Sequence, residues 1–171
     1  MIKLIGHLIF SLFAMLMFTM PVQAEVSQAR IIKVVDGDTV KVRDLEGLKY
    51  LVSLSGVDAP EVSQAQGKAA KDYLCSVICG KDVVINFNKL NTEGHVLAVM
   101  YLGDTEVNLK MLEGGMAWQD FHDMEVVSGT RNQRYAHAES NARRQGAGLW
   151  QDDLVISPWR YREISQVSLW D

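Results

Sequence analysis

Two short stretches of this chain set carboxylates beside turn-forming residues, Val35-Asp36-Gly37-Asp38-Thr39-Val40 and Gly56-Val57-Asp58-Ala59-Pro60-Glu61. In the first, Asp-Gly breaks one strand and begins another. In the second, the proline ends a strand, because the residue before it is pushed out of helical space and the ring supplies no N–H. If the strands are neighbours, Asp38, Asp58 and Glu61 converge at one end of a sheet. Hard oxygen ligands without thiolate or imidazole suit Ca²⁺ or Mg²⁺ rather than zinc. One such turn alone would carry little weight, since turns are rich in Asp and Gly for conformational reasons.

The elements that must position these acids begin after a leader. Lys3, the apolar run Leu8 to Phe18 and the small-residue site Val22-Gln23-Ala24 read residues 1–24 as a signal peptide. The run is short for a bilayer span and polar sequence follows at once, which predicts an exported protein, periplasmic or secreted, with no membrane anchor after cleavage. Removing Lys3 with the leader leaves 16 basic against 21 acidic residues, a net charge of −5. Proteins that grip phosphate backbones through counterion release usually carry the opposite sign, so nucleic acid is a partner only through a local feature. Cys75 and Cys79 are the only cysteines. Two thiols cannot complete a zinc site, and an oxidising compartment favours a bridge over two half-buried free thiols.

Ala29 to Asp36, Thr39 to Asp44 and Leu48 to Val57 read as three strands of a meander, with Val40 and Val42 alternating against Lys41 and Arg43. In the third, Ser53 points away from the face shared by Val52 and Leu54. Ala70, Tyr73, Leu74, Val77 and Ile78 then recur at helical spacing up to Gly80. Asp82 to Asn88 and Val96 to Leu102 are two further strands, Val107 to Glu113 a short helix, and Thr130 to Gln145 a polar one. This order predicts a mainly β, α+β fold: a five-stranded OB-fold barrel with about three packing helices over residues 25–157. It also predicts a monomer with a C-terminal tail, 158–171. Trp159, Arg160, Tyr161 and Arg162 in that tail could stack on nucleic acid, but such a segment more often lies back across its own domain. His122 and His137 read as surface or capping residues, Trp118 and Trp150 as packing, and Met111 and Met116 as core.

Val35-Asp-Gly-Asp-Thr39, Gly56-Val-Asp-Ala-Pro-Glu61, Gln64-x-x-Gly67, Leu97-Ala-Val-Met-Tyr101 and Gly148-Leu-Trp150, in that order, resemble the thermonuclease (micrococcal-nuclease-like) family. The resemblance implies Ca²⁺-dependent hydrolysis of DNA and RNA phosphodiesters. It makes Asp38 and Asp58 the metal carboxylates, the backbone carbonyl of Ala59 a third ligand, and Glu61 the residue that holds or deprotonates the attacking water. It also marks departures. Ser53 stands where the family carries an arginine on the third strand, and His95 stands where a second arginine follows a glycine. Glu93 replaces an aromatic that would lie against the nucleotide, and Thr92 a basic residue. Two readings follow: a nuclease whose activity is weak or lost because its arginine positions are substituted, or a non-catalytic binding module that keeps the acidic pocket.

Overall fold

The computed structural model describes residues 25–121 and 129–167, so the signal-peptide reading and His122 lie outside the described residues. Five strands close a mixed barrel: β1 (Glu25–Val34), β2 (Thr39–Asp44), β3 (Lys49–Leu54), β5 (Asp82–Leu90) and β6 (Val96–Leu102). The sheet runs β3-β2-β1-β5-β6, and a parallel β3–β6 pairing joins its ends. Closure leaves neither β3 nor β6 as a free edge. The interior face is the one that strand alternation marks, with Val40, Val42, Val52, Leu54, Ile85, Ala98 and Met100 all buried.

The long third strand expected from the sequence divides in two. At Gly56 the backbone takes φ 72°, a left-handed conformation that favours glycine, and the pairing changes there. Beyond it, β4 (Val57–Asp58) leaves the barrel and pairs antiparallel with β8 (Trp118–Gln119), with Asp58 opposite Trp118. A further two-residue strand, β7 (Thr105–Glu106), adds to β6. The buried Asn108 carboxamide stitches this region. Its Oδ1 accepts from Met100 N–H at 3.0 Å, and its Nδ2 donates to the carbonyls of Ser55 (2.9 Å) and Ala98 (3.1 Å).

Four helices pack on the barrel where about three were expected: α1 (Gly67–Ile78), α2 (Val107–Glu113), α3 (Gly129–Gln145) and α4 (Pro158–Val167). The additional one is the tail. In α1, Ala70, Leu74 and Ile78 are buried, as their spacing dictates. Cys75 and Cys79 are disulfide-bonded at the end of that helix. On α3, Tyr135 is buried and donates to Glu106 Oε1 at 2.6 Å, while Arg131 and Arg134 pair with the same carboxylate. That buried acid is therefore fully compensated, as a charge inside a core must be. Trp118 is buried and packs edge-on against Trp150, their centroids 4.9 Å apart; Met111 is buried, Met116 partly so, and His137 is exposed.

Replacing Asn108 by alanine removes three hydrogen bonds from a buried site. The expected loss of stability is about 2–4 kcal/mol, measurable as a lowered urea midpoint. Opening the Cys75–Cys79 bridge with serines should remove no more than about 2 kcal/mol, because the loop it closes is short.

Candidate functional site

Asp36 organises the first turn. Its Oδ1 accepts from the N–H groups of Asp38 (3.0 Å) and Thr39 (2.6 Å), an Asx turn that aims the next carboxylate. Asp38 then reaches across to the second turn, where its Oδ2 accepts from Ala59 N–H at 2.6 Å. Gly37 is required at this junction: a Cβ there would stand 2.6 Å from Ala59 Cβ and 2.8 Å from Ala70 Cβ. Gly67 meets an equal constraint at the start of α1, where a Cβ would fall 1.8 Å from the Glu61 carbonyl oxygen. Glycines at these two positions let both acidic turns and the helix behind them lie in contact.

The turns open onto a cavity of about 570 Å³ lined by carboxylates of Asp36, Asp38, Asp58, Glu61, Glu93 and Asp120. Burial, with Asp36 next and then Asp58 adding repulsion, holds the Asp38 carboxyl well above the usual carboxylate range, against the lowering effect of the Ala59 N–H. Burial likewise raises Asp58, opposed by Arg162 and assisted by Asp120 and Glu61. Among the described residues, Arg162 is the only basic side chain on the lining. It comes from α4 and bridges two of the acids: Nη1 to Asp58 Oδ1 at 3.1 Å and to Glu61 Oε1 at 2.9 Å, Nη2 to Asp58 Oδ2 at 2.8 Å. Those bonds hold its guanidinium charged more firmly than usual.

Each residue singled out in the sequence has a place here. Asp38, Asp58, Ala59, Glu61 and Ser53 line the cavity. His95 lies behind Ser53, its Nδ1 3.1 Å from Ser53 Oγ and 3.5 Å from Glu93 Oε2. Parallel pairing of β3 with β6 (Val52 opposite Val96) explains why two positions far apart in sequence meet. Ser53 Oγ also lies 3.3 Å from Thr39 Oγ1, which donates to Asp38 Oδ1 at 3.0 Å. A line of short polar groups thus runs from Asp38 to His95. The arrangement is not a nucleophilic triad, because serine and carboxylate meet the same imidazole nitrogen. Arg43 and Lys49, opposite one another at the far end of β2 and β3, are not on the lining.

The donor set has the chemistry of a hard-cation site, since carboxylates surround the cavity and, among the described residues, no thiolate or imidazole lines it. Yet among the described residues no three acidic, imidazole or thiolate side chains gather closely enough to hold one ion. Arg162 was the residue the sequence kept in the background. Its aromatic-basic segment was expected to lie back across its own domain more often than to stack on nucleic acid, and it does lie there, but nothing in a local pattern links position 162 to positions 58 and 61.

A mixed five-stranded barrel closed by the parallel β3–β6 pairing is the architecture of an OB-fold. Residues 51–152 match the family described as staphylococcal nuclease homologue. An uncharacterized endonuclease of Haemophilus influenzae is 32% identical over 148 residues, covering 85% of this chain and 78% of the relative. A micrococcal nuclease of Shigella flexneri is 30% identical over 148 residues, covering 81% and 82%. Protein ParB of Escherichia coli is 27% identical over 162 residues, covering 89% and 88%. This chain belongs to the staphylococcal nuclease family, a family of nucleases.

Gly37→Ala should lower stability by about 1–3 kcal/mol through overpacking against Ala59 and Ala70. Adding Ala70→Gly should recover part of that loss in chemical denaturation, since it removes one of the two contacts; no recovery would mean the clash is relieved elsewhere.

Proposed function

We propose that this protein is an exported phosphodiester hydrolase acting on nucleic acid, at a rate well below that of a site with both family arginines. What supports the reading is the gathering of Asp38, Asp58 and Glu61 along one cavity, in a chain of a nuclease family. Asp38, Asp58 and the Ala59 carbonyl are the groups that would hold a hard divalent cation, Ca²⁺ by family resemblance, and when bound it would neutralise phosphate oxygens and polarise water. Glu61 would accept a proton from the attacking water as that oxygen bonds to phosphorus; the phosphorus–oxygen bond to the leaving group then breaks, and the departing alkoxide takes a proton from solvent water. Ser53 offers a single neutral donor where a guanidinium would present a planar fork. His95 is spent on Ser53 and Glu93.

One such arginine at a transferring phosphoryl group is worth about 10³–10⁵ in rate, so the substitutions govern the expected turnover. Two losses at one centre do not simply multiply. The second reading, a binding module that cuts nothing, is favoured by the acid-lined wall, which repels a phosphodiester unless a cation intervenes. The leader at residues 1–24 and the Cys75–Cys79 bridge support an oxidising, exported location, periplasmic or outside the cell. No described helix is long and apolar enough to cross a membrane.

Purified protein incubated with single-stranded DNA or RNA and Ca²⁺ should cut slowly, stop on chelation, and lose activity by roughly 10²-fold or more in Glu61→Gln. Ser53→Arg with His95→Arg should raise the rate by roughly 10²-fold or more. Absence of any cleavage in both the parent and the doubly substituted protein, with Ca²⁺ still raising the melting temperature, favours the module.

A further inference from the structure

Helix α4 is fastened along one wall of the cavity rather than merely ending near it. Trp159 meets Trp118 edge-on at 6.4 Å between centroids, and Tyr161 Oη donates to Ser63 at Oγ (3.1 Å) and at the carbonyl (3.3 Å). The segment leading into the helix is tied to the same wall. Gln64 Nε2 donates to the Ile156 carbonyl, and Gln66 Nε2 to Asp152 Oδ2 at 3.0 Å. These anchors bracket the turn that carries Glu61. They deliver Arg162 to the carboxylates, where it takes up both oxygens of Asp58 and one of Glu61. The fork-to-carboxylate geometry is the strong form of this contact.

We propose that α4 is an autoinhibitory strap: Arg162 serves as an internal counter-cation on Asp58 and Glu61, and a divalent cation enters the cavity only by displacing it. The inference rests on the reading of Asp58 as a cation ligand. Three observations carry it. The guanidinium is the only basic group on a lining of six carboxylates among the described residues, so it answers their repulsion. Three of its hydrogen bonds go to the two acids that the cation and its water would need. Its side chain is 43% exposed, so withdrawal opens the cavity mouth without opening the barrel core. A phosphate-binding arginine would instead present its donors to the open cavity, and this one directs three of its bonds at carboxylates.

The test is calorimetric titration of Ca²⁺ into the parent protein, Arg162→Ala and Arg162→Gln, with circular dichroism to confirm that each is folded. Losing a bidentate charge-assisted pair that competes for the same oxygens should tighten Ca²⁺ binding by roughly ten- to hundredfold in both variants. In the parent, Ca²⁺ should also shift tryptophan emission as Trp159 leaves Trp118, and that shift should persist in a Glu61→Gln protein, which separates strap release from catalysis. Equal or weaker Ca²⁺ affinity in the variants, with the parent binding normally, overturns the strap; if single-stranded DNA binding falls at the same time, Arg162 is a phosphate ligand instead. Failure of parent and variants alike to bind Ca²⁺ overturns the cation reading of Asp58, and the strap with it.

Discussion

Repulsion among carboxylates crowded around one cavity is the constraint from which the rest of this site follows. Asp36, Asp38, Asp58, Glu61, Glu93 and Asp120 face a common space. Charges so placed either acquire partners, take up protons or make the fold unstable. This chain uses the first route, and burial favours the second at Asp38. Asp36 is spent on backbone N–H groups, Asp38 is raised well above its ordinary range and held by the Ala59 N–H, and Asp58 with Glu61 is neutralised by Arg162. A cavity organised in this way is poised for a cation, and the terminal helix already supplies one.

Holding acids together also demands precise backbone contact. The two acidic turns touch through Gly37 and Ala59, and the second turn touches α1 through Gly67. Small residues at these points matter because a methyl group would force the turns apart at the place where Asp38 meets the Ala59 N–H. The barrel supplies the other half of the arrangement. Its parallel β3–β6 closure brings Ser53 beside His95, and the break at Gly56 turns Asp58 out of the barrel and into pairing with Trp118. Along this side of the cavity a line of hydrogen bonds runs from Asp38 to Thr39 to Ser53 to His95.

Much of the barrel was legible before any coordinates. Thr39 to Asp44, Val96 to Leu102 and Val107 to Glu113 are the elements their periodicity predicts, at the same boundaries. Period-two and period-3.6 patterns are local, and burial on one face enforces them. The misjudged boundaries have equally local causes. Reading on from Leu54 to Val57 as a single strand overlooked the turn at Gly56, and β1 reaches back to Glu25 because Glu25 pairs with Phe87 on β5, a partner no local pattern names. Strands as short as β4, β7 and β8 carry too few residues to show a period at all.

The order of the Asp-Gly-Asp-Thr and Asp-Ala-Pro-Glu turns, the serine and histidine at positions 53 and 95, and the acidic balance were all determined by sequence alone, because each depends on residue identity and near-neighbour geometry. Tertiary structure alone decided what neutralises those acids. Arg162 lies more than a hundred positions from Asp58 along the chain, and only the folding of the tail into α4, pinned by Trp159 and Tyr161, brings the guanidinium to the cavity. A charge pair across that separation depends on where two surfaces pack, and packing is a property of the whole molecule rather than of any stretch within it.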